Sequence, residues 1–157
     1  MYPKKNIIAM RNIILHQREE RDRLLSLPYI NRQTIYPVDV LLQSPMIKLI
    51  TGPRRVGKSV FALLALKNTN FAYLNFDDNQ LLTNWNEDVV MQTLNDVYPD
   101  FQYLLLDEVQ NLPNWDLWVT TLYRRGYNLI ITGSNARMLS QEMATVLTGR
   151  YIPIAMY

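Results

Sequence analysis

Gly52, Pro53, Arg54, Arg55, Val56, Gly57, Lys58 and Ser59 set a glycine, four further residues, and then Gly-Lys-Ser, the spacing with which a chain wraps its backbone around phosphate oxygens. Glycine is needed where the chain turns back and presses against an anion, because a Cβ would block both the dihedral and the approach. Successive backbone N–H groups then form a concave nest, and the helix that follows adds its positive N-terminal end. Lys58 is the candidate to bridge the β- and γ-phosphates of a nucleotide, and Ser59 to put its hydroxyl on Mg²⁺. The nucleotide-contacting set is these eight residues with Val60. Arg54 and Arg55 lie inside the loop, where one can face a phosphate or a neighbouring subunit and either can simply be solvated.

A cradle alone hydrolyses nothing, so the chemistry also needs carboxylates. "YLLLDEVQ" supplies them. The apolar run delivers Asp107 to the C-terminal edge of a sheet, the edge where the first strand releases the phosphate loop. Asp107 is the candidate to hold a magnesium water, and Glu108 the candidate general base for the attacking water. "IITGSNARM" ends another strand beside the loop. There Ser134 or Asn135 can reach the γ-phosphate or cap the next helix, and one residue can do each. Arg150 can project toward a neighbouring subunit's γ-phosphate or pair a surface carboxylate. Asp77 and Asp78 are expected at the same edge, as helix caps or in a secondary role near the magnesium. Trp85, Trp115 and Trp118 read as packing residues.

These residues can meet only if strands and helices alternate beneath them. Residues 46–51, 71–76, 101–106, 128–132 and 151–157 read as strands, with helices expected over 57–67, 81–97, 113–125 and 136–149. Such alternation implies a parallel α/β sheet with right-handed crossovers and helices on both faces. Apolar strands such as "YLLL" fit positions buried on both sides. Before this core, residues 6–27 read as a helix whose "HQREERDR" stretch is a solvated face with opposite charges four apart. Residues 28–45 read as an irregular connector with short extended pieces, broken by Pro28, Pro37 and Pro45.

Composition narrows the chemistry. The 157 residues contain no cysteine and one histidine, His16, which excludes disulfides and thiolate metal sites and leaves no imidazole cluster for zinc. Magnesium arriving with a nucleotide is the one metal expected. The net charge of +2 does not by itself select nucleic acid as a partner. No apolar run reaches the ~18 residues of a membrane span and no cleavage site follows the start, so a cytoplasmic protein without signal or anchor is expected.

"ITGPRRVGKS", "LLLDEVQNLPNW", "LYRRGYNLIITGSNARMLS" and "TGRYIPI" together resemble the AAA-type P-loop ATPases of bacteria and archaea, in the group whose loop reads GPRRVGKS, over residues 46–157. The resemblance implies a three-layer α/β/α P-loop NTPase core with five parallel strands in the order 5-1-4-3-2, preceded here by the N-terminal helix and connector of residues 1–45. It implies Lys58 and Ser59 as phosphate and magnesium ligands, Asp107 and Glu108 as the Walker B pair, and Ser134 or Asn135 as the sensor. Arg150 would be the finger of a homo-oligomer. Members of this group continue into a lid and a further C-terminal domain; with its end at Tyr157 the chain is expected to lack both. In related ATPases the stretch before the first strand lies against the adenine, which makes Tyr29 to Arg32 a base-contacting patch.

The expected activity is Mg²⁺-dependent ATP hydrolysis coupled to a conformational change in a partner, a protein or nucleic acid. The alternative is a switch or scaffold that binds ATP with little turnover. GTP is disfavoured because no Asn-Lys-x-Asp stretch offers guanine its carboxylate, and small-molecule kinase chemistry because no acceptor-binding insertion is present.

Overall fold

Five short runs rich in aliphatic and β-branched residues form the strands β1 (Ile47–Thr51), β2 (Phe71–Asn75), β3 (Tyr103–Asp107), β4 (Leu129–Gly133) and β5 (Tyr151–Ala155). The computed structural model describes residues 3–28, 38–54, 57–135, 139, 141 and 149–157. All the strand pairs are parallel, and the order β2-β3-β4-β1-β5 is the expected 5-1-4-3-2. Every residue of β1 and β4 is buried, as for strands covered on both faces. Pro153 lies in β5, opposite Leu49; an edge strand tolerates it because one row of its N–H groups has no ladder partner.

The helices are α1 (Lys4–Leu25), α2 (Val38–Gln43), α3 (Lys58–Leu66), α4 (Asn79–Thr83), α5 (Glu87–Val97) and α6 (Trp115–Arg124). Leu49, Leu74, Leu104, Leu106 and Ile131 pack with α5 and α6 on one face. Ile50, Tyr73, Leu105 and Ile130 pack with Ala62, Leu63 and Leu66 of α3 on the other. The tryptophans pack as expected, Trp85 edge-on to Trp118 at 4.8 Å between ring centroids.

Three expectations need correction. The single helix over 81–97 is two helices, because Asn84 donates back to the Gln80 carbonyl at 2.8 Å while the Asn86 side chain accepts from Val89 N at 3.1 Å. These amides end one helix and cap the next. The connector contains α2, whose six residues fit between Pro37 and Pro45 without placing either inside the helix. The "HQREERDR" stretch is a solvated face only in part: His16, Glu19, Glu20, Asp22 and Arg23 are exposed, but Gln17 is buried and Arg18 and Arg21 bind backbone. The helix expected over 136–149 lies largely outside the described residues.

Those α1 contacts close the β2 edge of the sheet. The Gln17 amide donates to Asn75 O at 3.1 Å and accepts from Asn75 N at 2.9 Å, so one side chain does what a neighbouring strand would do. Arg21 donates to Phe71 O at 2.6 Å and lies over the Phe71 and Tyr98 rings. Arg18 donates to Val97 O at 3.1 Å. An edge covered in this way cannot pair with another chain. Gln17→Leu is expected to lower stability by about 2–3 kcal/mol, read from urea unfolding, because it orphans both backbone groups of Asn75.

Tyr98 illustrates the opposite case. Its ring is buried and its hydroxyl has no hydrogen-bond partner. Burial first, with Asp22 adding and Arg21 and Arg18 opposing, pushes its pKa up to about 12. Its neutral form is therefore favoured in the fold, so its contribution is complete below pH ~10 and is lost as the pH rises toward the folded value. Tyr98→Phe is expected to raise stability by about 1 kcal/mol at pH 7. It should also flatten the alkaline fall in urea midpoint between pH ~10 and ~12.

Candidate functional site

Because β-strand side chains alternate between faces, Tyr73 in the middle of β2 and Asp107 and Thr132 at the C-terminal ends of β3 and β4 come to the α3 face. Ser59, in the first turn of α3, lies above them. The Asp107 carboxylate accepts from Thr132 Oγ1 at 2.5 Å, from Tyr73 OH at 3.0 Å, and from Ser59 Oγ at 2.9 and 3.0 Å. Burial pushes the Asp107 pKa up; the hydroxyls of Thr132, Ser59 and Tyr73 oppose this, and the neighbouring Glu108 reinforces it.

The phosphate loop leaves β1 through Gly52 and enters α3 through Gly57, whose φ of 93° lies in the region that favours glycine. Lys58 folds back into this turn, donating to Gly52 O at 2.7 Å and Pro53 O at 3.3 Å. Its ammonium also lies 3.3 Å from Glu108 Oε1 and 3.2 Å from Ser134 Oγ. Glu108 stands just past β3 in a left-handed conformation, φ 55° and ψ 50°, and its second oxygen accepts from Ser134 Oγ and Gln110 Nε2, both at 2.7 Å. Burial works against its charge, yet the bonds from Gln110 and Ser134 and the Lys58 charge prevail and hold its carboxyl below the usual range.

A cleft of about 510 Å³ opens over Lys58, Ser59, Asp107 and Glu108 and reaches Tyr73 and, on α1, Glu20 and Leu24. The donor set around Ser59 and Asp107 is all oxygen, which suits a small hard cation that keeps several waters. Among the described residues no group of three or more His, Cys, Asp or Glu could hold a metal alone, so a cation here would draw its other ligands from phosphate and water.

Residues 44–157 match the AAA domain family. This chain belongs to that family. Over 122 residues the AAA domain is 34% identical to an uncharacterised protein of Methanocaldococcus jannaschii, covering 72% of this chain and 26% of the relative. Over 126 residues it is 37% identical to an uncharacterised protein of Haemophilus influenzae, covering 71% and 31%. The chain thus spans about a quarter to a third of the length of these relatives. Among solved structures, the DnaC helicase loader superposes with a TM-score of 0.51 at 16% identity, over 76% of this chain and 86% of that one, a likeness of fold.

The AAA domain brings Lys58, Ser59, Asp107, Glu108 and Ser134 together. Asn135 is exposed, and its carbonyl accepts from Leu139 N at 3.1 Å. Arg54 reaches sideways to Asp77, 3.4 Å away, and Asp78 caps α4 by accepting from Gln80 N at 2.9 Å. Val60 packs against the α3-side core. Arg150 is not in this cleft: its carbonyl accepts from Ile47 N at 3.1 Å, which puts it at the opposite, N-terminal edge of the sheet. Arg55, Val56 and the Tyr29 to Arg32 patch lie outside the described residues. Sequence reasoning passed over Tyr73, Thr132 and Gln110. A hydroxyl on the same strand face as Asp107, near the end of an apolar run, was the available signal for the first two. No helix among the described residues is long and apolar enough to cross a membrane.

Proposed function

We propose that this AAA domain binds ATP with Mg²⁺ between the phosphate loop and the end of β3, hydrolyses it, and transmits the change to a partner. One observation carries the reading: Ser59 Oγ lies within 3.0 Å of both Asp107 oxygens beside the Lys58 and Glu108 pair. A hydroxyl and a carboxylate side by side suit an Mg²⁺ held through its waters, and a lysine beside a second carboxylate suits phosphate binding and water activation. Ser59 and Asp107 would hold the cation, which supplies charge neutralisation on the phosphate oxygens.

The remaining work falls to the chain. Incoming phosphates offer Lys58 stronger acceptors than two loop carbonyls, drawing its ammonium out of the turn and off Glu108. Thr132 and Tyr73 keep the Asp107 carboxylate oriented while Ser59 turns toward the cation. Glu108, freed of Lys58 but still held by Ser134 and Gln110, polarises the attacking water and takes its proton at a carboxylate oxygen. Ser134, rather than the exposed Asn135, is the sensor in this reading. Arg150 acts only across a contact with a second copy, since it lies at the far edge from its own cleft.

A second reading, binding with little turnover, draws support from that same pair: while Lys58 and Glu108 neutralise each other, neither is deployed. Isothermal titration with ATP, ADP and GTP in Mg²⁺, followed by steady-state phosphate release, tests both. Adenine-nucleotide binding with phosphate release supports hydrolysis; binding without release supports the switch; preference for GTP or no binding sinks the assignment.

A further inference from the structure

The N-terminal edge of the sheet, opposite the phosphate loop, carries a second cleft of about 440 Å³ lined by Phe101, Gln102, Tyr103, Arg125, Tyr127 and Asn128. The Phe101 and Tyr127 rings stack in it, 5.8 Å apart and 15° from parallel. Its walls are stapled. Asn128 Nδ2 donates to Gln102 O at 3.2 Å, and Asn70 Nδ2 donates to Pro99 O and Asp100 O, both at 3.0 Å.

The basic side of the cleft is fixed by how α6 ends. Tyr127 N donates to Leu122 O at 3.1 Å and Gly126 N to Tyr123 O at 3.0 Å, the paired bonds of a Schellman motif. Gly126 supplies the positive φ, 88°, that this turn requires. The turn presents Arg124 and Arg125 to solvent, both exposed, while folding Tyr127 back onto Phe101. Arg150, also exposed, stands on the same edge two strands away, ~10 Å at the usual strand spacing. The acids on β3, β4 and α6 are instead at the other end: Asp107 and Glu108 in the nucleotide cleft and Asp116 in the first turn of α6. Three arginines at this edge face two exposed acids, Asp96 at the end of α5 and Asp100 beside Phe101.

We propose that this edge binds single-stranded nucleic acid, an unpaired base stacking on Phe101 and Tyr127 and adjacent phosphates meeting Arg124, Arg125 and Arg150. Aromatic rings in a preformed cleft beside guanidinium groups match the alternation of base and phosphate along a single strand. A duplex keeps its bases stacked on each other and cannot offer a ring face to a cleft. An acidic peptide would use the arginines and leave the aromatic stack without a role.

The test is fluorescence anisotropy of labelled oligo-dT, oligo-rU and a duplex of equal length, without nucleotide and in a Lys58→Ala background, so that the phosphate loop does not contribute. Failure of the ATP site would leave this reading unaffected. The expected result is preference for a single strand. Arg124→Glu with Arg125→Glu should weaken it about tenfold or more and reduce the salt slope by about 1–2. Tyr127→Leu, which keeps an apolar contact to Phe101, should weaken it about fivefold or more, with circular dichroism unchanged. No binding at low salt, equal affinity for the duplex, displacement by polyglutamate as readily as by unlabelled oligonucleotide, or indifference to either the arginine pair or Tyr127 would overturn the proposal.

Discussion

Glu108→Gln is expected to leave ATP binding within about twofold of wild type while slowing phosphate release by about 10²–10⁴-fold, the usual contribution of a positioned general base. Geometry says why binding should survive. The Glu108 oxygens accept from Ser134 and Gln110 and face Lys58. An amide keeps one acceptor for Ser134 or Lys58, and its new NH₂ has a place to go. Gln110 Oε1 is buried without a hydrogen-bond partner, so a flip of the Gln110 side chain presents that oxygen to the new donor. What the variant loses is basicity, since an amide takes no proton from water. Loss of the ion pair should also free Lys58 from competition, which argues against weaker ATP binding. Calorimetric titration and phosphate release on the same preparation separate the two effects. Release at the wild-type rate would remove Glu108 from the chemistry.

The contrast between what was legible in the residues and what was not follows the range of the interactions. Lys58, Ser59, Asp107, Glu108 and Ser134 were legible because each stands at a strand or helix end. A parallel sheet gathers such ends at one edge whatever the details of packing. Tyr73 and Thr132 stand within apolar strands, where only the two-residue period and the register Asn75 opposite Asp107 bring them to one carboxylate. The role of α1 was hidden for a different reason. Its periodicity marks a helix, but Gln17 and Arg21 bind the backbone of β2, and backbone partners leave no mark in side-chain patterning. The same limit explains the break at Asn84 to Asn86, where local amide caps override an unbroken apolar period.

Lys58→Ala is expected to weaken ATP binding at least ~100-fold, in line with removing one partner of a buried charged contact. The side chain is only 4% exposed. Among the described residues its ammonium is the cation seated in the turn itself, on Gly52 O and Pro53 O, and Arg54, drawn toward Asp77, is badly placed to substitute for it. A skeptic would attribute lost binding to a damaged fold, because the change also strips Glu108 of its counter-charge. The structure separates these outcomes. Glu108 retains Ser134 and Gln110 as donors, which should limit the cost to about 1–3 kcal/mol, below that of a fully abandoned buried charge. Thermal melts then decide. Without nucleotide the variant should unfold cooperatively at a modestly lower temperature. With Mg²⁺ and ATP the wild type should gain about 2–3 kcal/mol at a hundredfold excess of ligand over its dissociation constant, and the variant almost nothing. A variant that melts as wild type and still gains the full nucleotide stabilisation would mean that ATP is held elsewhere. Pairing Lys58→Ala with Glu108→Gln sharpens the inference, since neutralising the carboxylate should recover part of the resting stability without restoring any ATP-induced gain. Recovery of stability alone is what a phosphate-binding lysine parked on its catalytic partner requires; a purely structural ion pair would give no loss of nucleotide response in the first place.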